Sequence, residues 1–144
     1  MIQFLYASNL KEILDLQERC NFLDGWSKEN FSTAFLRQDF FVLGKKIEDR
    51  LVGYISFTIS FDTADVELVL VDKDFRGRGI AKELLTKALK EIKDKNVSKV
   101  LLEVRKDNDL ALSLYKGNGF SQINVRKKYY EDWTDALILA KELV

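Results

Sequence analysis

Residues 64–104 leave this chain little freedom of topology. An apolar run at 64–71 leads through a glycine-containing loop into an amphipathic stretch at 78–94, and a second apolar run follows at 97–104. In the middle stretch Ile80, Leu84, Leu85, Ala88, Leu89 and Ile92 share one helical face. Strand, helix and strand in that order read as a βαβ unit. A helical crossover is right-handed and makes its two strands parallel.

The flanking segments read differently. Residues 2–6 are a short strand. Asn9 to Cys20 form a helix with Leu10, Ile13, Leu14 and Leu16 on an apolar stripe, and Ser27 caps a second helix reaching about Gln38. Residues 40–47 and 51–60 are two strands of a hairpin around Glu48, Asp49 and Arg50. A short helix at 109–116 is stopped by Gly117 and Gly119, and strands at 120–127 and 136–142 close the chain. The expectation is an α/β fold of the α+β mixed-sheet kind. One domain over residues 1–144 has a mostly antiparallel central sheet, one parallel strand pair and helices on both faces.

Composition narrows the chemistry. With 144 residues, 47% of them hydrophobic, the chain is one ordinary soluble domain that buries about two-thirds of its unfolded surface. No apolar run approaches the roughly 20 residues of a membrane span. Met1 to Phe4 carry no basic segment, so no signal peptide is expected. The single cysteine, Cys20, excludes an intrachain disulfide and fits a cytoplasmic setting. There is no histidine, which removes Ser-His-Asp and Cys-His catalysis and the usual zinc motifs. No metal is expected, and acid–base work falls to Asp, Glu, Lys and Tyr.

Net charge is zero, which argues against non-specific nucleic-acid binding. The halves differ: residues 1–70 hold 7 basic and 11 acidic groups, a net of −4, and residues 71–144 a net of +4. A positive C-terminal half suits a phosphate-bearing small ligand.

The loop before the long helix points the same way. It reads Asp72-Lys73-Asp74-Phe75-Arg76-Gly77-Arg78-Gly79-Ile80-Ala81. Small residues at Gly77, Gly79 and Ala81 let several backbone N–H groups face one anion. The helix N-terminus adds partial positive charge, and Arg76 and Arg78 add full charges. The chemistry wanted is a pyrophosphate, held by residues 76–81, Ile80 included. Neither the Walker pattern nor G-x-G-x-x-G is present. The plainer alternative is a tight turn with solvated arginines.

Arg76-x-x-Gly79-x-Ala81 resembles the Q/R-x-x-G-x-G/A signature of the GNAT superfamily of acetyl-CoA-dependent N-acetyltransferases. Leu102-Glu103-Val104-Arg105, Asn108, Leu114-Tyr115 and Gly119-Phe120 are similar to a run of its RimI group, the ribosomal-protein-alanine N-acetyltransferases. Arg126-x-x-Tyr129-Tyr130, Asp135-Ala136 and Trp26-Ser27 resemble further motifs of that group. Departures from its pattern are Gly25 for proline, Leu68 for a polar or small residue, Ala81 for glycine and Lys128 for asparagine. Most of these lie where an acceptor would bind.

The resemblance implies that strand 64–71 splays from 97–104. The pantetheine arm of acetyl-CoA would lie in the gap against backbone groups of Val69, Leu70 and Val71. It implies Glu103 as general base, Asn108 as a coenzyme contact and Tyr115 as general acid near the thioester, with the N-terminal amine of a small-subunit ribosomal protein as acceptor.

The residues themselves are compatible with this and with plainer roles. Alternation puts Leu101 and Glu103 on one face of their strand, opposite Val100, Leu102 and Val104. A strand covered on both faces would partly bury Glu103 and raise its pKa toward that of a useful base. A strand-end glutamate paired with Arg105 or a lysine is the alternative. Asn108 is a helix N-cap candidate, and Tyr115, seven residues on, shares its face. Trp26, Tyr129 and Tyr130 line an acceptor groove or belong to the core. Two rivals keep the coenzyme loop: acetylation of lysine or a small amine, which a small acidic pocket would favour over a peptide-length groove, and a non-catalytic acyl-CoA-binding module.

Overall fold

The structure is a computed structural model and describes residues 1–130 and 132–143. Seven strands, β1 (Ile2–Leu5), β2 (Phe40–Ile47), β3 (Arg50–Ser60), β4 (Thr63–Val71), β5 (Lys99–Arg105), β6 (Ser121–Arg126) and β7 (Ala136–Glu142), form one sheet. Its order is β1-β2-β3-β4-β5-β7-β6. Four helices, α1 (Leu10–Arg19), α2 (Lys28–Phe35), α3 (Ile80–Lys93) and α4 (Asp109–Gly117), cover it. The crossover through α3 makes β4 and β5 parallel, and the other pairings are antiparallel, as expected.

Each face of the sheet has its own core. On one side Leu84, Leu85, Ala88 and Ile92 of α3 and Tyr115 of α4 pack with Val100, Leu102 and Val104. On the other, Ile13 and Leu16 of α1 and Phe31 and Ala34 of α2 pack with Tyr54, Leu68 and Leu70. Strand β4 serves both cores because it is bulged. Ser56 opposes Leu68 and Phe57 opposes Val66, which leaves Glu67 between the rungs. The extra residue flips the alternation. Ala64 and Val66 therefore face the α3 core, and Leu68 and Leu70 face the α1–α2 core. The apolar Leu68 is thus a core residue.

Element boundaries shift where backbone torsions dictate. Glu48 and Asp49 have φ of 51° and 64°, the two left-handed positions of a tight hairpin turn, so Arg50 belongs to β3. Helix α3 starts at Ile80, not 78, because Gly77 and Gly79 are left-handed at φ 80° and 76°. Ser27 caps α2 by accepting from the Asn30 amide at 3.1 Å, and that helix ends at Phe35, short of the expected Gln38. Among the described residues no helix is long and apolar enough to cross a membrane.

Candidate active site

The parallel pairing of β4 and β5 is short. It runs from Thr63↔Lys99 to Val66↔Leu102. Both strands continue, β4 to Val71 and β5 to Arg105, without pairing to each other. A cleft of about 540 Å³ opens at this splay. It is lined by Val66 to Val69, Asn108, Ala111 and Tyr115, by Phe22, Asp24 and Trp26 before α2, and by Arg126, Tyr129 and Tyr130 near β6.

Beyond Val71 the chain enters the glycine loop. Gly77 and Gly79 need their φ values rather than the space, since a Cβ at either would meet nothing within 4 Å. The Glu83 amide bonds the Gly79 carbonyl at 3.0 Å, so the N–H groups before it at the start of α3 are open to an anion. Arg76, Gly77, Arg78 and Gly79 are exposed there. Ile80 is not: its side chain is buried in the α3 core, and only its backbone can serve a ligand. Arg76 Nε donates to the Val71 carbonyl at 3.1 Å, and the Arg78 guanidinium lies 4.9 Å from the Phe75 ring centre.

The loop is anchored by Asp72, a residue the sequence does not single out. Its side chain is 1% exposed. One oxygen accepts from the Asp74 amide, and the other from Arg19 at 3.2 Å and Arg50 at 2.9 Å. Burial pushes this carboxyl up, but the Asp74 amide and the two guanidiniums outweigh it and hold it below the usual carboxylate range.

Glu103 sits one residue past the last parallel rung, at the mouth of the cleft. The burial expected of it is not found. Its side chain is 33% exposed and pairs with Arg126 at 3.1 Å, neither Arg105 nor a lysine. The expectation took the strand as covered on both faces, and the splay uncovers it there. Arg105 is engaged elsewhere, with Asp107 and Asp132, and stacks its guanidinium 4.7 Å from the Tyr130 ring centre.

Asn108 caps α4, accepting from the Ala111 amide at 3.1 Å, and lines the cleft. Tyr115 is 7% exposed, packs edge-on against Phe120 and lines the cleft. Burial pushes its phenol up to about 12, so it stays protonated throughout the neutral range. Trp26 combines both readings: it stacks on Phe40 at 5.6 Å and also lines the cleft. Gln17 fixes it there, with Nε2 donating to the Trp26 carbonyl and Oε1 accepting from its amide. A Cβ at Gly25 would come within 2.6 Å of that glutamine, which is why Gly25 suits this chain. Tyr129 and Tyr130 meet edge to face at 5.2 Å, and both line the cleft.

Glu67, unmarked by any motif, also lines this cleft. Both its carboxylate oxygens lie near the Thr58 hydroxyl, at 3.0 and 3.1 Å. Burial pushes it up to about 7, against the lowering by that hydroxyl and by Arg37. The only sequence signal is an acid interrupting an apolar strand.

Comparison with known proteins agrees with this fold. The acetyltransferase (GNAT) family model matches residues 8–120. The chain belongs to the GNAT acetyltransferase family. It is 29% identical to the [ribosomal protein bS18]-alanine N-acetyltransferase of Salmonella typhimurium, over 96% of this chain and 95% of that protein. It is 32% identical to the N-alpha-acetyltransferase RimI of Mycobacterium tuberculosis, over 74% of this chain and 68% of that one. The crystal structure of the ribosomal-protein-S18-alanine N-acetyltransferase from Escherichia coli has the same fold, with a TM-score of 0.91 and 24% identity, covering 99% of this chain and 93% of that one. This GNAT chain is an acetyl-CoA-dependent N-acetyltransferase.

Proposed function

We propose that this acetyltransferase moves the acetyl group of acetyl-CoA to the N-terminal α-amine of a protein, by direct attack with both substrates bound. The observation that carries the reading is the convergence of Glu103, Asn108 and Tyr115 on one cleft at the β4–β5 splay. The relatives' names support an α-amine, and a small-subunit ribosomal protein with an N-terminal alanine is the first acceptor to test. We read residues 1–144 as one catalytic domain working in the cytoplasm, on the support of the single cysteine.

In this reading residues 76–81 hold the pyrophosphate on the open amides of α3. Backbone groups of Val69, Leu70 and Val71 hold the pantetheine arm, and an N–H near Val71 meets the oxyanion. Asn108 donates to the coenzyme. Glu103 takes a proton from the acceptor nitrogen through a bridging water, and Tyr115 protonates the departing thiolate. Trp26, Tyr129 and Tyr130 border the acceptor. An α-amine, with a pKa of about 7.7–8.0, costs about 1 kcal/mol to neutralise at pH 7, against roughly 4–5 for a lysine.

The acidity of the cleft favours a second reading. Asp24, Asp65, Glu67 and Glu103 line it against Arg105 and Arg126, an arrangement that also suits a lysine side chain or a polyamine. Mass spectrometry decides between the two. Acetyl-CoA and protein are incubated with a ribosomal-protein N-terminal peptide, the same peptide with a blocked α-amine, an internal-lysine peptide and a polyamine. The first reading expects product only on the free α-amine; acetylation of lysine or polyamine alone would overturn it.

A further inference from the structure

Amide formation from a charged amine requires two deprotonations. An α-ammonium carries three hydrogens on nitrogen and the product amide carries one. The first proton must leave before the lone pair can attack. The second leaves after attack, from a nitrogen far more acidic than the original. One base at one position is poorly matched to both steps.

The cleft holds two carboxylates at the same height. The last parallel rung joins Val66 to Leu102, so the next residue on each strand is Glu67 on β4 and Glu103 on β5. Both line the cleft. Neighbouring strands lie about 4.8 Å apart where they pair, and these two separate beyond that rung, which leaves a gap flanked by one carboxylate from each side. The bulge sets Glu67 there, because it frees that residue from the ladder to β3.

Their surroundings divide the labour. Glu103 is bound to Arg126 and a third exposed. Glu67 is half-buried, and its direct partner is the neutral Thr58 hydroxyl of β3. The charges acting on it are Arg37 and Asp39 from the segment after α2 and Asp65 on its own strand, and Asp24, Glu103, Arg105 and Arg126 line the same cleft. Burial brings Glu67 to about 7, close to the 7.7–8.0 of an α-ammonium, so proton transfer between them is nearly balanced.

We propose that Glu67 seats the acceptor ammonium and takes its first proton, while Glu103 takes the second. This rests on the acetyl-transfer reading above and adds a residue to it. Glu67 as carboxylate accepts H⁺ from the ammonium. The nitrogen lone pair forms the C–N bond at the thioester carbonyl, giving a tetrahedral adduct whose nitrogen bears the positive charge. Glu103 removes a proton from that nitrogen, the C–S bond breaks, and Tyr115 gives its phenolic proton to the thiolate. Water returns Tyr115 to the phenol and both glutamates to carboxylates. The balance is ammonium plus acetyl-CoA to amide, CoA thiol and one released H⁺.

The test is kcat/KM against pH for whichever amine in the mass-spectrometric panel the wild type acetylates best. Wild type should lose kcat/KM as pH falls through about 7, where Glu67 protonates. Glu67→Gln should lower kcat/KM at pH 7.5 at least tenfold, raise the acceptor KM and replace that limb with one at the acceptor amine's own, higher pKa, with acetyl-CoA affinity within twofold of wild type as the check on folding. Thr58→Val removes a hydroxyl that lowers Glu67 and no ionisable group, so it should move the limb to higher pH. Glu67→Asp should keep a limb and regain part of the loss. An acid limb unchanged in both Glu67→Gln and Thr58→Val overturns the proposal. A panel acetylated only on lysine or polyamine overturns the α-amine reading and leaves the pH test of Glu67 standing; a panel with no product at all overturns both.

Discussion

The two sides of the cleft are built by different means. The side proposed for the coenzyme is one continuous stretch, from the free half of β4 through the glycine loop into α3, completed by α4. Its working parts are mostly backbone, left-handed glycines at 77 and 79 and the open amides before Glu83, with the Asn108 side-chain cap as the exception. The side proposed for the acceptor is assembled from side chains of distant segments, Phe22 to Trp26, the bulged Glu67, and Arg126 to Tyr130. Gln17, Thr58 and Arg105 hold those pieces from behind. A coenzyme side made of backbone geometry binds one invariant ligand with little dependence on the other side. An acceptor side made of side chains can change its amine by changing a few residues. The division predicts that variants on the two sides separate into coenzyme and acceptor defects.

The proposed acid and base, Tyr115 and Glu103, should give the largest effects. Tyr115→Phe should lower kcat about 100-fold in steady-state assays, with acetyl-CoA affinity nearly unchanged. Because burial holds the phenol near 12, wild type should show no alkaline loss of activity from Tyr115 below pH 10. Next is the loop. Gly79→Val forces a branched side chain to φ 76°, at a cost of about 1–2 kcal/mol. It should raise the KM for acetyl-CoA about tenfold and leave the acceptor KM alone; an acceptor defect of similar size would break the division.

Asp72 gives an effect on stability. Asp72→Asn should cost about 1–3 kcal/mol, read as a lower Tm, because the Arg19 and Arg50 bonds lose their charged acceptor. The folded-state pKa of Asp72 lies below its unfolded value, so the stability it adds is present above the ordinary carboxylate range and lost as pH falls through the folded value. The Tm difference between wild type and variant should therefore shrink in acid. The smallest effect belongs to the acceptor loop. Gly25→Ala sets a methyl against Gln17 and should raise the acceptor KM a few-fold, with the coenzyme KM unmoved.

The same division explains what the sequence discloses. Ser27 and Asn108 are legible as caps because a cap needs only its own helix start. The crossover through α3 follows from apolar spacing, and the splayed β4–β5 pair follows from the family resemblance. Glu67 is hidden because alternation through Ala64-Asp65-Val66-Glu67-Leu68 reads both acids as solvent-facing, and a bulge leaves no mark in such a run. Asp72 reads as an ordinary loop acid because its partners lie 53 and 22 residues away. Glu103 is legible as a residue of the cleft and misread in its burial, since the cover it lacks depends on where the pairing stops. Lys128, in the family's asparagine position, holds a φ of 52° that asparagine adopts more readily.

The most direct test of acetyl transfer at the splay measures two quantities on one preparation of Glu103→Gln: the dissociation constant for acetyl-CoA and the single-turnover rate with a saturating free-amine peptide. The account predicts a rate lower by a factor of about 10²–10⁴ with coenzyme affinity within twofold of wild type. A rate equal to wild type, or a loss explained by weaker acetyl-CoA binding, would contradict it.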